Sequence, residues 1–167
     1  MELGLTIPLE RFLKCSAPPY GLESDRRFCW DLHCIDLRGR KSLLSVHCHS
    51  RYTFVLFDLT AAEWVDLPNT FLDGLRQSLT AIGVEKANID HYLLCTGNCT
   101  LTKTHGRREV AFLNRAWEDV LRLEYAVDPD AKEQPFLDYG VNTKSCRCAG
   151  FEGIDTALER INLSLSF

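Results

Sequence analysis

Three strand-like runs lie almost end to end in the first part of the chain. Phe28 to Leu37, Lys41 to Cys48 and Tyr52 to Leu59 are separated only by Arg38-Gly39-Arg40 and His49-Ser50-Arg51. Separators that short leave room only for tight turns, so the runs read as an antiparallel meander over about 28–59. With three residues in each turn, Leu37 pairs with Lys41 and Cys48 with Tyr52. That register puts Trp30, Leu32, Cys34, Leu44, Val46, Cys48, Tyr52, Phe54 and Leu56 on one face. The set is nearly all apolar and is the expected core face.

The remaining pattern supplies helices. Glu2 to Ile7 reads as a short first strand, and Pro8 opens a helical turn through Leu13. Phe71, Leu75, Leu79 and Ile82 recur at helical spacing and predict a helix over about 67–82, with Gly83 as its stop. A second helix is expected over about 107–126, with Val110, Leu113, Trp117, Val120 and Leu121 as its apolar positions. Ala87 to Leu94 is ambiguous between helix and strand, and Thr100 to Thr104 alternates weakly as a strand. Asp130 to Gly153 is rich in turn formers, so residues 128–153 are expected to be irregular. Ile154 to Phe167 closes the chain as a short helix or a strand. The fold class is α+β over a single domain, 1–167. Its sheet is expected to be mainly antiparallel and packed by the two long helices.

The other face of the meander carries chemistry. The same register places Cys29, Asp31 and His33 on one strand, with His47 opposite Asp31 and His49 opposite Cys29. Imidazole, thiolate and carboxylate together suit zinc or a similar divalent metal, and a His–carboxylate pair can serve as a general base. A wetted sheet face also collects polar residues with no such purpose, and a one-residue slip would scatter the set. Cys95-x3-Cys99 with Cys146-x-Cys148 is a second metal candidate, although its spacing departs from the usual C-x2-C. A third site is Thr102-Lys103-Thr104-His105-Gly106-Arg107-Arg108, which runs into a helix. Two arginines at a helix start oppose the macrodipole, and such a start offers N–H groups to an anion. It is not a Walker loop, and no nucleophile elbow, papain-like cysteine signature or dinucleotide fingerprint occurs elsewhere.

Composition narrows the classes. Apolar residues are 46% and charged residues 25% of the 167, a globular balance. The formal net charge is −4, which disfavours direct nucleic-acid binding and a membrane-surface role, while allowing a local basic patch. No secretory signal or membrane span is read, so the expected location is cytoplasmic. The eight cysteines are then expected to be thiols.

The order of features resembles a family of small bacterial proteins known only as a domain of unknown function. The stretches that carry the resemblance are "TIPLERFLK", "FCWDLHCIDLRGRKSLLSVHCHSRYTFVLF", "NTFLDGLRQSLTAIGV" and "TLTKTHGRREVAFLNRAWEDV". In that family a Thr-Lys-Thr segment leads to an Arg and then an Asn in the following helix. The matching positions are Thr102, Lys103, Thr104, Arg107 or Arg108, and Asn114. The resemblance covers most of residues 1 to 125 and brings no activity. Two functions are therefore expected. The leading one is a non-enzymatic binding or regulatory domain that holds an anionic or protein partner through Lys103, His105, Arg107, Arg108 and Asn114. The alternative is a zinc-binding protein or small metal-dependent hydrolase built on Cys29, Asp31, His33, His47 and His49.

Overall fold

The computed structural model describes residues 1–148 and 150–165 and shows an α+β domain built on a mixed five-stranded sheet. The strands are β1 (Glu2–Leu5), β2 (Cys29–Leu37), β3 (Arg40–His47), β4 (Thr53–Leu56) and β5 (Thr100–Lys103), in the spatial order β4-β3-β2-β1-β5. The meander is present, as β2 to β4, and is antiparallel throughout. The sheet around it is not. The first strand lies between β2 and β5 and pairs with both in parallel, Gly4 facing Asp31 on one side and Thr102 on the other.

The meander turns differ from the expected lengths, and the difference has consequences. The first turn has only Arg38 and Gly39 between the paired residues Leu37 and Arg40. Both have positive φ, 50° and 75°, as a type I′ turn requires. The second loop is longer, closing with the His47 N–H on the Tyr52 carbonyl at 2.8 Å. Each partner register therefore moves by one residue, and the two shifts cancel for β4 relative to β2. Only β3 is turned over. Leu44 and Val46 face away from Trp30, while Leu43, Ser45 and His47 share its side.

Both sheet faces are covered. On the Trp30 side lie α1 (Ile7–Leu13), α2 (Ala61–Val65), α3 (Leu67–Ala81), α4 (Lys86–Thr96) and α7 (Ala157–Leu165). They contribute Leu9, Trp64, Phe71, Leu75, Leu79, Tyr92 and Ile161 to the larger core. A Thr60–Glu63 capping box starts α2, and Pro68 stands in the first turn of α3. On the opposite side, α5 (Arg107–Arg122) and α6 (Pro135–Asn142) cover Ile35, Leu37, Leu44, Val46 and Val55 with Leu113, Val120, Leu137 and Val141. A short 3-10 turn, Glu124–Ala126, continues α5, so the expected helix over 107–126 ends in a tighter coil.

Residues 128–153 are not irregular throughout, because α6 lies within them and serves the edge of the sheet. The Thr53 N–H donates to Asn142 Oδ1 and the Val55 N–H to Asp138 Oδ1, at 2.8 and 3.0 Å. These residues, one helical turn apart, satisfy the outward N–H groups of β4 as a further strand would. A two-stranded ribbon of β6 (Ser145–Cys146) and β7 (Asp155–Thr156) leads into α7. The last part of the expected 154–167 element, Ser166 and Phe167, lies outside the described residues. No helix among the described residues is long and apolar enough to cross a membrane.

Candidate functional site

Two places carry concentrated charge. The first is a buried polar centre between the end of β5 and the start of β2. Strand alternation puts Glu2 and Gly4 of β1 on the same face as Cys29 and Asp31 of β2. After β5 the chain turns over this face and drops His105 onto it. Its Nδ1 lies 2.7 Å from Asp31 Oδ1, its Nε2 lies 3.3 Å from Glu2 Oε2, and its own N–H donates to Asp31 Oδ1 at 3.2 Å. This approach needs Gly4. A Cβ there would stand 2.2 Å from Asp31 Oδ1 and 2.9 Å from His105 Nδ1. The Cys48 thiol lies 3.6 Å from the same ring nitrogen, and Cys29 is close enough to His105 and Glu2 to share a ligand with them.

Electrostatics set the proton's place. Burial alone favours a neutral His105, but hydrogen bonds to Asp31 and Cys29 and the charge of Asp31 outweigh it and lift the imidazole to about 10. Burial drives the Asp31 carboxyl upward, offset in part by His105. Backbone N–H bonds from Leu22 and Glu23, with His105, hold Glu2 low against its partial burial. The centre is thus an imidazolium between two carboxylates. One oxygen is left out: Asp31 Oδ2 is buried and has no hydrogen-bond partner among the described residues.

The start of α5 sits over this centre and supplies its own anion. Glu109, buried in the first turn, takes the Arg108 guanidinium at 2.6 Å and Arg26 at 3.8 Å. Gly106, with φ 139°, leaves room for that carboxylate. Arg26 also donates to the His105 carbonyl at 3.2 Å. Of the residues expected to hold an anion, Lys103 lies 4.4 Å from the centroid of the Tyr20 ring and His105 points inward. Arg107 and Asn114 are exposed, Asn114 beside a small cleft with His33 and Trp117.

The expected metal set is divided by the turned strand. Cys29 and Asp31 belong to the buried centre. His33 bonds Thr6 Oγ1 at 2.8 Å and meets the edge of Trp117. His47 lies on the opposite face, 4.7 Å from Trp30 between ring centres. Its Nδ1 accepts from the Ser50 N–H, so Nε2 carries the proton and donates to the Arg27 carbonyl at 3.0 Å. Burial pushes this histidine down to about 3. His49 sits in the following loop against Ser164 and Phe151. Cys95 is exposed beside His91 on α4, whereas the Cys148 thiol donates to the His49 carbonyl, so the second cysteine set does not converge.

The second charged place has no forerunner in the sequence reading. A polar cleft of about 490 Å³ runs along α5, lined by Arg51, Arg115, Arg122 and Lys144 with Phe112 and one acid, Asp119. Lys144 and Arg122 share Asp119 at 2.9 and 3.6 Å, and Arg115 reaches Glu118 at 3.3 Å. The Arg51 guanidinium lies 4.7 Å from the centroid of the Phe112 ring and donates to the Arg147 carbonyl. Its backbone is left-handed, at φ 67°. Behind Cys146, which lines the cleft, Arg160 is fully buried and pairs with no carboxylate among the described residues. Its guanidinium bonds the Cys146 sulfur and carbonyl, and its Nε has no partner among the described residues. Spacing along the sequence gives no hint of this grouping, because its cations come from a loop, α5 and the segment after α6.

A sequence profile for a domain of unknown function, DUF6933, matches residues 2–156, and the chain belongs to that family. The match extends past Asp128, so the segment carrying α6 and the two late cysteines Cys146 and Cys148 is part of the family domain. No curated protein matches the chain.

Proposed function

We propose that this DUF6933 protein is a non-enzymatic binding domain that holds a carboxylate- or phosphate-bearing segment of a partner protein in the cleft along α5. One observation carries the reading: four cations and one carboxylate line a single cleft on a chain whose net charge is −4. Such an imbalance concentrates positive potential where the rest of the surface is acidic. The surface ion pairs of Arg115, Arg122 and Lys144 are each worth at most about 1 kcal/mol, so an incoming anion redirects them at little cost. Arg51 offers a planar donor fork, and its left-handed backbone costs about 1–2 kcal/mol that a glycine would not incur. The helix start is a poorer anion site because Glu109 already occupies it. The reading places the protein in a bacterial cytoplasm, where its eight free thiols stay reduced.

The test is a titration with a labelled glutamate-rich peptide, its phosphoserine counterpart and inorganic phosphate, at low and at physiological salt. Binding is expected to weaken with salt, and the double variant R51E/R122E to lose at least about tenfold in affinity. R107E/R108E, at the helix start, is expected to keep it. No binding at low salt, or loss with R107E/R108E but not with R51E/R122E, overturns the assignment.

A further inference from the structure

We propose that Asp31, Cys48 and His105 hold a divalent cation of the zinc class. The inference concerns the buried centre and is independent of the anion cleft. Ligand atoms of Asp31, Cys48 and His105 all lie within 4.8 Å of one another, as do those of Glu2, Cys29 and His105. The two sets share His105 but reach different nitrogens, Asp31 and Cys48 at Nδ1 and Glu2 at Nε2. Cys29 and Cys48 are neighbours across the end of the meander, the Cys48 N–H donating to the Cys29 carbonyl at 3.0 Å. Both thiols are buried.

A second observation points to a ligand. Asp31 is 1% exposed, and its Oδ2 has no partner among the described residues. A buried carboxylate oxygen left without a donor is costly, and a cation supplies the missing partner. Sulfur, nitrogen and oxygen ligands in this mixture suit zinc, which also accepts three protein ligands with water in the fourth position.

The surroundings complete the arrangement. His105 Nδ1 is the nitrogen facing Asp31 and Cys48, at 2.7 and 3.6 Å. Its Nε2 faces Glu2, the carboxylate–histidine–metal relation that fixes a ligand's tautomer. Glu2 is itself anchored by the Leu22 and Glu23 N–H groups. With one thiolate, one carboxylate and a neutral imidazole, the loaded site is neutral. Tetrahedral bonds of about 2.0–2.3 Å set nitrogen-to-sulfur separations near 3.5 Å. The Cys48–His105 distance already matches, and the Asp31–His105 contact must open by about half an ångström. Loading displaces the Cys48 thiol proton and the imidazole Nδ1 proton to solvent, so uptake weakens as pH falls.

Protein purified without an affinity tag and dialysed against a chelator is titrated with zinc alone and with cobalt(II) alone. About one equivalent of each is expected to bind, with a thiolate-to-cobalt charge-transfer band and a higher melting temperature. C15S/C95S, which removes the exposed thiols, should keep the band. C48S should lose it while circular dichroism shows an intact fold. Less than about a tenth of an equivalent bound by the wild-type protein, or a band that survives C48S, overturns the site.

Discussion

Asn142 holds the backbone of Thr53 from both sides. The Thr53 N–H donates to Asn142 Oδ1 at 2.8 Å, and Asn142 Nδ2 donates to the Thr53 carbonyl at 2.6 Å. One side chain on α6 thus does the work of a strand residue along the free edge of β4. Asn142→Ala leaves both Thr53 groups buried without partners and is expected to cost about 2–4 kcal/mol. Asn142→Asp retains the acceptor alone and should fall between. Urea unfolding with an unchanged slope would confirm a loss of stability rather than a change in the unfolded chain.

Asp138, one turn earlier, gives the edge a pH dependence. Burial holds its carboxyl well above the usual range, with the Val55 N–H pulling the other way. Folded Asp138 keeps its proton where the unfolded chain has lost it. Its contribution is therefore full below about pH 4 and declines as pH rises toward the folded value. Asp138→Asn removes that decline. The variant's stability relative to wild type should improve steadily from about pH 4 to pH 8. A difference that is flat across this range sinks the assignment.

Gly4 is where β1 and the buried centre meet. A methyl group there collides with Asp31 Oδ1 and with the Thr104 backbone. Gly4→Ala is expected to lose roughly 3 kcal/mol in chemical denaturation. Gly140→Ala, whose new carbon would stand 3.0 Å from the movable Leu123 Cδ1, should lose about 1 kcal/mol or less.

Gly39 tests the turn without any packing. Its φ is 75°, and nothing lies within 4 Å of where a Cβ would stand. Gly39→Ala should cost only the left-handed backbone penalty, about 1–2 kcal/mol. A loss much larger than that, read by thermal unfolding, would mean that the hairpin register had slipped.

These residues also show how far the sequence could be read. Alternation in β2 and β4 puts Trp30, Leu32, Phe54 and Leu56 on the core face, where they are found. The strand between them was misassigned because turn length is not written in the residues. Arg38-Gly39-Arg40 serves a two- or a three-residue turn equally well, and one residue decides which face His47 and Val46 take. His47 looked like a ligand because it is polar, yet Trp30, Ser50 and the Arg27 carbonyl make a buried place for a neutral imidazole. Asp138 and Asn142 looked like turn formers. They are instead helix residues whose short polar side chains reach a strand edge that only the tertiary structure supplies. His105 stood in the basic segment and Asp31 in the metal set. Their contact spans 74 residues, and no local pattern announces it.

The place of β1 between β2 and β5 sets the order in which this chain can be completed. Four residues at the start of the protein pair with β2 on one side and with β5, near residue 100, on the other. At a synthesis rate of about 5–20 residues per second, β1 waits roughly five to twenty seconds on the ribosome for its second neighbour. Until then Leu3 and Leu5 belong to a sheet with an open edge. The meander can form from local turns, but the β1–β5 side of the sheet closes late. A nascent chain arrested before β5 should therefore be readily cut by protease in its first strand, whereas one arrested beyond α5 should resist.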